Sequence, residues 1–550
     1  MTKVKNQGGF PLKAVGEVLS IAGVAPKDVD TVAYSTIFFE NPDLYDRDCV
    51  VRVYNDTFAP WRPSAASLRR QAIAIANEIL GPERRSRLPF ARAQRKHRLK
   101  CCADLGIENA AQLAFDHHRS HAGCLSYIFP NRLPHLRVTS DGQGDAISGR
   151  VTYCFSEQCR RDIVVLGRED SLAEVYSLAT CILGLVPLEH EYKLMGLAPY
   201  ASLEPKATSL AADLEQIFDW RGAEAVKWSR SRYHSTRKLA RMLQALFRFQ
   251  RMDHVASAVQ TATEDIVLEW VKRLIRHTGC GRIGLAGGLF MNVKINGSIE
   301  RMSEVNDLQV FPSCGDESLS LGCAALASEK YGQCPEWSGQ IFLGRDFSKS
   351  GEILSAIDFA ATQGIRITPC DDCNNHIATL LDNGTIVARF AGRAEFGARA
   401  LGNRSILADP RRIEIISEIN DRIKCRDFWM PFAATVLYEF RHELLEIPDS
   451  ADSPFMMKTY RVRGAWLPKI RAAIHPRDGT CRPQILRREA NPAYYSLIDE
   501  FRHVTGIPAV LNTSFNLHGY PLVYTPQDAV EVFIKSGLRV LLLDTFLLEK

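Results

Sequence analysis

The length of the chain, 550 residues, predicts two or more domains. Its hydrophobic fraction of 46% and charged fraction of 24% are typical of a globular protein in water, and a net charge of +5 is small for a dedicated nucleic-acid binder. No apolar run reaches the length of a transmembrane helix, the N-terminus is polar, and the 15 cysteines are scattered without a disulfide framework. The sequence therefore predicts a cytoplasmic protein with no membrane partner and no stable nucleic-acid partner.

The first hundred residues predict regular structure but little chemistry. The spacing of apolar residues predicts a helix over 11–22 and a strand over 30–34, and an Ala- and Ile-rich stretch predicts a helix over 66–80. Basic residues are concentrated over 84–98, where two interpretations stay open. They form either a solvated surface, the commoner role of such a run, or a local attraction for an anionic substrate.

Three histidines lie close together in the segment from Asp116 to Gly123. Asp116 is a suitable N-cap, so the segment predicts the start of a helix. On a helix, His117 and His121 share one face, and two imidazoles on one face are the smallest useful part of a metal site. The alternative is a solvated or packed pair, which is more frequent for two histidines considered alone.

A carboxylate follows in the next segment. Residues 136–140 predict a short strand, and residues 141–145 predict an acidic, glycine-rich turn. Such a turn lets the backbone approach a phosphate and directs the Asp141 carboxylate toward a metal. An ordinary hairpin turn fits the pattern equally well.

The middle of the first half is mainly helical by its pattern. Residues 176–180 predict a helix, and Lys193 lies in a short segment punctuated by Gly196 and Pro199. Residues 205–250 are polar and helix-prone, which predicts an insertion on the surface. Apolar residues at helical spacing predict one long amphipathic helix over 255–275.

Two further strands run into glycine turns. The strand predicted over 282–286 leads to Gly287, Gly288 and Asn292, and a strand ending near Val310 leads to an acidic turn with Asp316. Glycines at a strand end let the backbone approach a ligand, and a following helix N-terminus favours phosphate. The glycine pair matches neither GxGxxG nor the Walker pattern, so it is weak evidence by itself. Together with the histidine pair, these turns predict a nucleotide-plus-metal cleft.

The second half, from residue 343, carries a different set of candidate ligands. Arginines, a lysine and short hydroxyl or amide side chains recur over 392–405, 424–427, 475–484 and 511–516. Arginine binds phosphate through two hydrogen bonds, and Asn or Ser can bind a planar amide, so these segments predict a site for a small phosphorylated substrate. The CxxC at 370–373 has no partner pair and is not expected to bind zinc. Surface ion pairs are the expected role of four other arginines: Arg411, Arg412, Arg487 and Arg488.

The motifs HHxxHA, DGxGD, KxMGLAPY, AGGxxxN and FPxxGDxxxxxG occur in this order. In these motifs, and over nearly its whole length, the chain resembles the NodU/CmcH-type O-carbamoyltransferases. The resemblance implies an α/β fold with an ASKHA-like (actin/hexokinase-type) carbamoyl-transfer domain at 1–342 and a YrdC-like carbamoyl phosphate-binding domain at 343–550. It also implies a divalent metal of the Fe(II) type held by four residues: His117, His121, Asp141 and Asp316.

The same resemblance implies a reaction and the residues for it. Carbamoyl phosphate and ATP would form carbamoyl adenylate, and the carbamoyl group would pass to a hydroxyl of a small metabolite or sugar, of the nodulation-factor or antibiotic type. The catalytic residues implied are Lys5, His117 and Asp141. The residues implied for the nucleotide are Gly142, Lys193, Gly287, Gly288 and Asn292. The residues implied for carbamoyl phosphate are Arg399, Lys424, Arg482, Asn512 and Ser514.

Two positions and the start of the chain depart from the family pattern. Met430 stands where an arginine is common, so one phosphate contact is missing or comes from elsewhere, for example from Arg426. His254 stands in register with a usual acidic residue, next to Asp253, and either of the two could face the nucleoside. Lys5 matches a family lysine almost at the start of the chain, so the hairpin that usually precedes it is absent. We therefore expect an N-terminally incomplete or weakly active chain, to be tested against a version extended upstream.

Two other functions remain as alternatives. Threonylcarbamoyl or tRNA-modifying chemistry uses related domains, but the modest charge and the lack of a basic, aromatic-interleaved face count against it. A non-catalytic, ATP-binding ASKHA regulator is the second alternative, and the Arg-rich second half counts against that function. A homodimer is one option for the oligomeric state, which the sequence does not determine.

Overall fold

The computed structural model describes residues 11–36, 89–128, 133–156, 159–333, 335, 337 and 339–550, apart from 221, 223, 231, 232, 234, 349, 371 and 425. Lys5, the helix predicted over 66–80 and part of the basic run over 84–98 lie outside these residues. The chain divides into two compact units between Trp337 and Ser338. The sequence analysis placed its domain boundary after residue 342.

The first unit contains both helices and strands. Its described strands are β1 (Thr31–Tyr34), β2 (Ala111–Ala114), β3 (His135–Gly144), β4 (Ile147–Cys154), β5 (Arg160–Gly167), β6 (Asp219–Trp220), β7 (Trp228–Ser229), β8 (Arg282–Ala286) and β9 (Asp307–Val310). Its described helices are α1 (Leu12–Ala22), α2 (Pro89–Asp104), α3 (His117–Ile128), α4 (Leu172–Ile182), α5 (Glu191–Leu197), α6 (Pro205–Glu215), α7 (Thr236–Phe247), α8 (Met252–Thr278), α9 (Val293–Glu300) and α10 (Leu319–Lys330). The helices predicted over 11–22, 176–180 and 255–275 and the strands predicted over 30–34 and 282–286 are confirmed.

One sheet of this unit positions the candidate ligands. Within the described residues it has the strand order β5-β4-β3-β8-β9, and β8 runs parallel to both β3 and β9. The carboxyl ends of parallel strands meet at the same edge of a sheet. The last residues of β3 and the segments after β8 and β9 therefore come together, and α3 packs on β3 and β8 beside them.

Two expectations for this unit were wrong. The acidic glycine segment belongs to β3, which is irregular between Ser140 and Gly144, and the turn to β4 is formed by Asp145 and Ala146. Residues 205–250 are not a surface insertion, because α6 and α7 bury their apolar faces and Trp228 of β7 is fully buried. Charged residues on the outer faces of these helices made the segment look polar throughout.

The second unit is built around a larger sheet. Its described strands are β10 (Arg366–Pro369), β11 (Val387–Phe390), β12 (Arg404–Ala408), β13 (Ala433–Leu437), β14 (Tyr460–Arg461), β15 (Thr480–Cys481), β16 (Gln484–Leu486), β17 (Ala509–Ser514), β18 (Val540–Leu543) and β19 (Phe546–Glu549). Its described helices are α11 (Gly351–Thr362), α12 (Asn374–Asp382), α13 (Glu414–Ile419), α14 (Arg441–Leu444), α15 (Pro492–Thr505) and α16 (Pro526–Lys535). Among the described residues the sheet order is β10-β19-β18-β11-β12-β17-β13-β16. Strands β11, β12, β13 and β18 are buried at every residue, which places the apolar core along the centre of this sheet.

The four arginines assigned to surface ion pairs do form ion pairs. They are Arg411 with Asp382 and Asp409, Arg412 with Asp409, Arg487 with Asp452, and Arg488 with Asp499. Cys370 and Cys373 are joined by a local disulfide, which the sequence analysis did not foresee. In the part of the chain that is described, no helix combines the length and the apolar character needed to cross a bilayer.

Candidate metal centre and phosphate site

Helix α3 begins at His117 because two carboxylates accept hydrogen bonds from its first backbone N–H groups. Asp116 Oδ1 accepts from the Arg119 N–H at 2.9 Å, which is the predicted N-cap. Asp145 Oδ2, from the turn between β3 and β4, accepts from the His117 N–H at 2.8 Å. Negative charge is favoured at a helix N-terminus, so these contacts hold the first turn of α3 beside β3.

Four side chains converge at the predicted edge of the sheet. The Nε2 atoms of His117 and His121 are 3.2 Å apart. His121 Nε2 lies 3.1 Å from Asp141 Oδ2 and 3.5 Å from Asp316 Oδ1, and His117 Nε2 also lies 3.5 Å from Asp316 Oδ1. One ligand atom from each of the four residues lies within 4.8 Å of the others. The structure thus brings together the four residues that the sequence analysis named as metal ligands.

The charges of this cluster perturb one another. Burial by itself would raise the pKa of Asp141, but hydrogen bonds with His117 and His121 hold that pKa well below its ordinary value. Burial by itself would lower the pKa of His121, but hydrogen bonds with Asp141 and Asp316 raise it to about 9. The arrangement therefore favours a positive charge at its centre, which a proton on His121 supplies in the metal-free protein.

The donor set fits a divalent transition metal. Imidazole nitrogens suit iron and zinc, and carboxylates extend the set toward harder ions, so two of each suit Fe(II) or a similar cation. The His121 side chain is fully buried, whereas the Asp316 side chain is 72% exposed, so the site is accessible from the side of Asp316.

His118, the remaining histidine of this segment, is a packed core residue. Its Nδ1 lies 3.0 Å from Thr139 Oγ1 and its Nε2 lies 3.3 Å from the Ile147 carbonyl oxygen. Burial, reinforced by the neighbouring histidines, holds the pKa of His118 well below its ordinary value. His118 is therefore neutral, and both of its ring nitrogens are engaged by the protein.

The glycines after β8 are required by close backbone contact. Gly287 has a φ of 100°, and a Cβ at this position would overlap the carbonyl oxygen of Ser140. The Gly288 N–H donates to Asp141 Oδ2 at 3.2 Å, and a Cβ there would lie 2.9 Å from Asp141 Oδ1. Gly287 and Gly288 therefore orient the Asp141 carboxylate, whereas Gly142 is the glycine of this set that faces open space.

Asn292 has a structural role that the sequence analysis did not foresee. Its Oδ1 accepts from the Ile295 N–H at 3.3 Å and so caps α9, and its Nδ2 donates to Gln260 Oε1 at 2.8 Å. The same Gln260 oxygen accepts from the Tyr176 hydroxyl at 3.0 Å. Lys193 is half-buried on α5, which packs on α4 and α8.

The two residues considered near the nucleoside have different environments. Asp253 accepts from Arg251 Nε at 3.0 Å and from the His254 N–H at 3.0 Å. His254 is buried, and its Nε2 lies 3.8 Å from Glu204 Oε2 and has no hydrogen-bond partner in the described part of the chain. Of these two residues, His254 is therefore the one with a ring nitrogen still available for a hydrogen bond.

Lys424 and the end of β17 form a polar site in the second unit. Lys424 Nζ lies 3.1 Å from Ser514 Oγ and also donates to the Ser514 carbonyl oxygen and to Asn516 Oδ1. Burial, reinforced by the charge of Arg426, holds the pKa of Lys424 well below its ordinary value. A bound anion would reverse this shift, because it would stabilise the charged ammonium.

Arg399 and Arg426 both lie within electrostatic reach of Arg482, and Arg426 also lies within electrostatic reach of Lys424. Burial, followed by the charges of Arg399 and Arg426, holds the pKa of Arg482 well below its usual range. Strongly perturbed like charges that the fold holds together are typical of a binding site for the opposite charge. Met430, where the resemblance implied that an arginine is common, is buried. Arg426 lies within electrostatic reach of both Lys424 and Arg482.

Asn512 presents an unused hydrogen-bond acceptor. Its Nδ2 donates to the Ala400 carbonyl oxygen at 3.1 Å and to Thr435 Oγ1 at 3.0 Å, and it lies 3.4 Å from Gln484 Oε1. Its Oδ1 is buried and has no hydrogen-bond partner among the described residues. The Ala400 oxygen can only accept, so it fixes this orientation of the amide. Thr435 and Gln484, which the sequence analysis missed, thus orient Asn512, and only their position in the fold reveals this role.

Arg404, one of the arginines in the glycine-containing loop over 392–405, has a structural role and not the ligand-binding role that its residue type predicts. Arg404 is fully buried, donates to the Ala391 carbonyl oxygen at 2.9 Å and lies over the Phe390 ring at 3.6 Å. Glu395, buried beside it, accepts from the Leu401 N–H at 2.7 Å. These contacts shape the loop over 392–405. Composition alone therefore overestimated how many side chains of this loop are available to bind a substrate.

The chain matches known sequences over its whole length. Residues 1–325 match the sequence family described as "Carbamoyltransferase N-terminus", and residues 378–550 match the family described as "Carbamoyltransferase C-terminus". Nodulation protein NolNO of Sinorhizobium fredii is 30% identical over 100% of this chain and 76% of its own length. Nodulation protein NolO of Bradyrhizobium diazoefficiens is 33% identical over 79% of each chain, and an uncharacterized protein of Methanocaldococcus jannaschii is 27% identical over 100% of this chain and 94% of its own.

Similarity to solved structures is weaker. Full-length HypF in the phosphate- and nucleotide-bound form is 11% identical over 42% of this chain and 45% of its own, with a TM-score of 0.27, which is too low to carry an argument. The sequence matches are sufficient without it, because the N-terminal description alone covers more than half of the chain. The chain belongs to the carbamoyltransferase family and is an enzyme that transfers a carbamoyl group.

Proposed function

We propose that this enzyme is an O-carbamoyltransferase that takes its carbamoyl group from carbamoyl phosphate and activates it with ATP. The observations that carry the proposal lie in the second unit: Arg482 is within electrostatic reach of Arg399, Lys424 contacts Ser514 at the end of β17, and the same strand carries the unused acceptor of Asn512. A phosphate group requires cations, and an amide N–H requires an acceptor. Carbamoyl phosphate combines both groups in one small molecule. Ser514, which contacts Lys424, completes the proposed set.

The first unit would carry out the transfer. We propose that His117, His121, Asp141 and Asp316 hold a divalent metal, Fe(II) or an ion with similar ligand preferences. Such an ion would supply positive charge to polarise a carbonyl or phosphate oxygen. The fully buried His121 would fix the ligand geometry, and the exposed Asp316 would leave access from solvent.

The nucleotide would bind where β3 and β8 end. The open backbone at Gly142 and the N-terminus of α9, which Asn292 caps, support this location. We propose an ASKHA-like fold for the first unit and a YrdC-like fold for the second on the sequence resemblance. Lys193 as a nucleotide contact and Lys5 as a catalytic residue rest on the same resemblance.

The proposed reaction balances in three steps. Water attacks the carbonyl carbon of carbamoyl phosphate in the second-unit site, which expels inorganic phosphate and yields carbamate. The carbamate oxygen then attacks the α-phosphate of ATP, which expels pyrophosphate and yields carbamoyl adenylate. The acceptor hydroxyl attacks the carbamoyl carbon, AMP leaves, and the hydroxyl proton passes to a base for which His117 or Asp141 is the proposed group. Enclosure of the adenylate protects it from water.

The acceptor is proposed to be a hydroxyl of a small metabolite or sugar. Two similar proteins are nodulation proteins by name, which favours sugars as the first compounds to screen. A cytoplasmic location without nucleic-acid or membrane partners stays a prediction from composition. The oligomeric state, with a homodimer as one option, also stays open to measurement.

Pyrophosphate release from ATP tests the proposal directly. We expect release only when carbamoyl phosphate is present, and we expect label from carbamoyl phosphate to enter one class of hydroxylated compound. Acetyl phosphate serves as the matched control, because it has the phosphate but lacks the amide. ATP turnover that does not depend on carbamoyl phosphate would contradict the proposed function.

A further inference from the structure

The two residues that connect β3 to β4 have an unusual backbone. Asp145 and Ala146 have φ values of 52° and 67°, in the left-handed region that non-glycine residues rarely adopt. Two consecutive residues of this kind form the tight turn that matches the twist of a hairpin, and Asp tolerates it better than most residues. The turn directs the Asp145 side chain away from its own hairpin and toward α3.

Asp145 connects the two elements that supply the candidate metal ligands. Its Oδ2 accepts from the His117 N–H at 2.8 Å. Asp145 also directly follows β3, the strand that carries Asp141. The neighbouring Gly144 lies so close that a Cβ there would overlap the His117 ring. The spacing between the imidazoles on α3 and the carboxylate on β3 is therefore set at this contact.

The Asp145 carboxylate is itself held in place. Its Oδ1 accepts from the Thr36 hydroxyl, which follows β1. Arg98 of α2, whose guanidinium lies 4.1 Å from the centroid of the Tyr34 ring, also interacts electrostatically with Asp145. One carboxylate thus joins three separate segments to the first turn of α3.

We infer that Asp145 is a positioning residue for the metal centre: by linking β3 to the N-terminus of α3, it sets the distance between Asp141 and the two histidines. This inference rests on the proposed metal site but assigns a role to a residue outside it. Groups that orient metal ligands from outside the first shell typically change metal affinity by about 10–100-fold when they are removed. Asp116 offers a control, because it caps the same helix through the Arg119 N–H and pairs with Arg150 of β4 at 3.2 Å, but does not lie at the end of β3.

Cobalt(II) titration of the full chain tests the inference, since the visible bands of Co2+ report both its affinity and its ligand geometry. For Asp145→Ala we expect a dissociation constant about 10–100-fold higher than that of the unaltered protein and altered visible bands. For Asp145→Asn, which keeps an acceptor oxygen, we expect partial rescue. For Asp116→Ala we expect a dissociation constant within about threefold of the original, because its contact with the hairpin is to Arg150 of β4 and not at the end of the strand that carries Asp141.

The outcomes separate this inference from the proposed function. If the unaltered protein binds no Co2+, the metal site itself is wrong and the inference falls with it. If the unaltered protein binds Co2+ and Asp145→Ala binds equally well, only the positioning role is wrong. An equal loss of affinity in Asp116→Ala would also overturn it, since general helix capping would then explain the effect. Circular dichroism of each metal-free variant establishes that it is folded, and Asp145→Asn serves as the test if Asp145→Ala does not fold.

Discussion

Substitution of Arg482 by alanine separates ligand binding from stability in the second unit. Burial and the charges of Arg399 and Arg426 hold the pKa of Arg482 well below its usual range, so the folded protein without ligand disfavours this charge. Removing it relieves repulsion among the arginines. We therefore expect the ligand-free Arg482→Ala protein to have a melting temperature equal to or above that of the unaltered protein. An arginine that only stabilised the fold would give the opposite result.

The effect on carbamoyl phosphate is expected to be large. Hydrogen bonds to charged groups contribute about 1.5–3 kcal/mol, and each 1.4 kcal/mol changes a dissociation constant about tenfold. Loss of the Arg482 contact should therefore weaken carbamoyl phosphate binding roughly ten- to hundredfold. ATP affinity should not change, because the proposed nucleotide site lies in the other unit.

Isothermal titration with each ligand separately measures both affinities. Arg488→Ala is the matched control, since Arg488 lies on the same stretch of chain but is exposed and pairs with Asp499 at 3.7 Å. Its carbamoyl phosphate affinity should match that of the unaltered protein. The reasoning fails if Arg482→Ala keeps full carbamoyl phosphate affinity, or if its ligand-free melting temperature falls well below that of Arg488→Ala.

Three further predictions concern the two sites. His121→Ala should lose bound metal and transfer activity, because a buried ligand is removed; full metal content by elemental analysis would show that the assignment is wrong. Asn512→Leu should weaken carbamoyl phosphate binding about tenfold but leave inorganic phosphate binding unchanged in competition assays, because the unused acceptor serves only the amide. The metal-free protein should lose stability as pH rises from 6.5 through 9, because the pKa of His121 is raised to about 9 from an ordinary 6.5. Thermal unfolding across this range should show the loss, and His121→Gln should flatten the profile; an unchanged slope would contradict it.

Part of the candidate metal centre was accessible to sequence reasoning, because the positions of its two histidines depend on local periodicity. The spacing of His117 and His121 places both rings on one helical face, and Asp116 caps that helix as its residue type predicts. The family was also recognisable from motifs in order, and the matches over 1–325 and 378–550 confirm it. The histidine spacing and the helix cap depend on residues close together in the chain, and the family follows from sequence similarity. None of these features required tertiary information.

Other features depended on which distant segments the fold brings together. Asp316 reaches the histidines only because β3, β8 and β9 are neighbours in one sheet, which no local pattern encodes. Asn292 and Arg404 are residues of a type that often binds ligands. In the structure Asn292 instead caps α9, and Arg404 donates to the Ala391 carbonyl oxygen and so helps to shape a loop. Asp145 looked like part of a turn, and its contact with α3 follows from the packing of a hairpin against a helix. The family, several of the helices and strands, and the chemical types of the candidate ligands could therefore be predicted from local patterns and sequence similarity. Which of those side chains remain available depends on the tertiary fold, because hydrogen-bonding capacity is consumed by contacts between residues far apart in the chain.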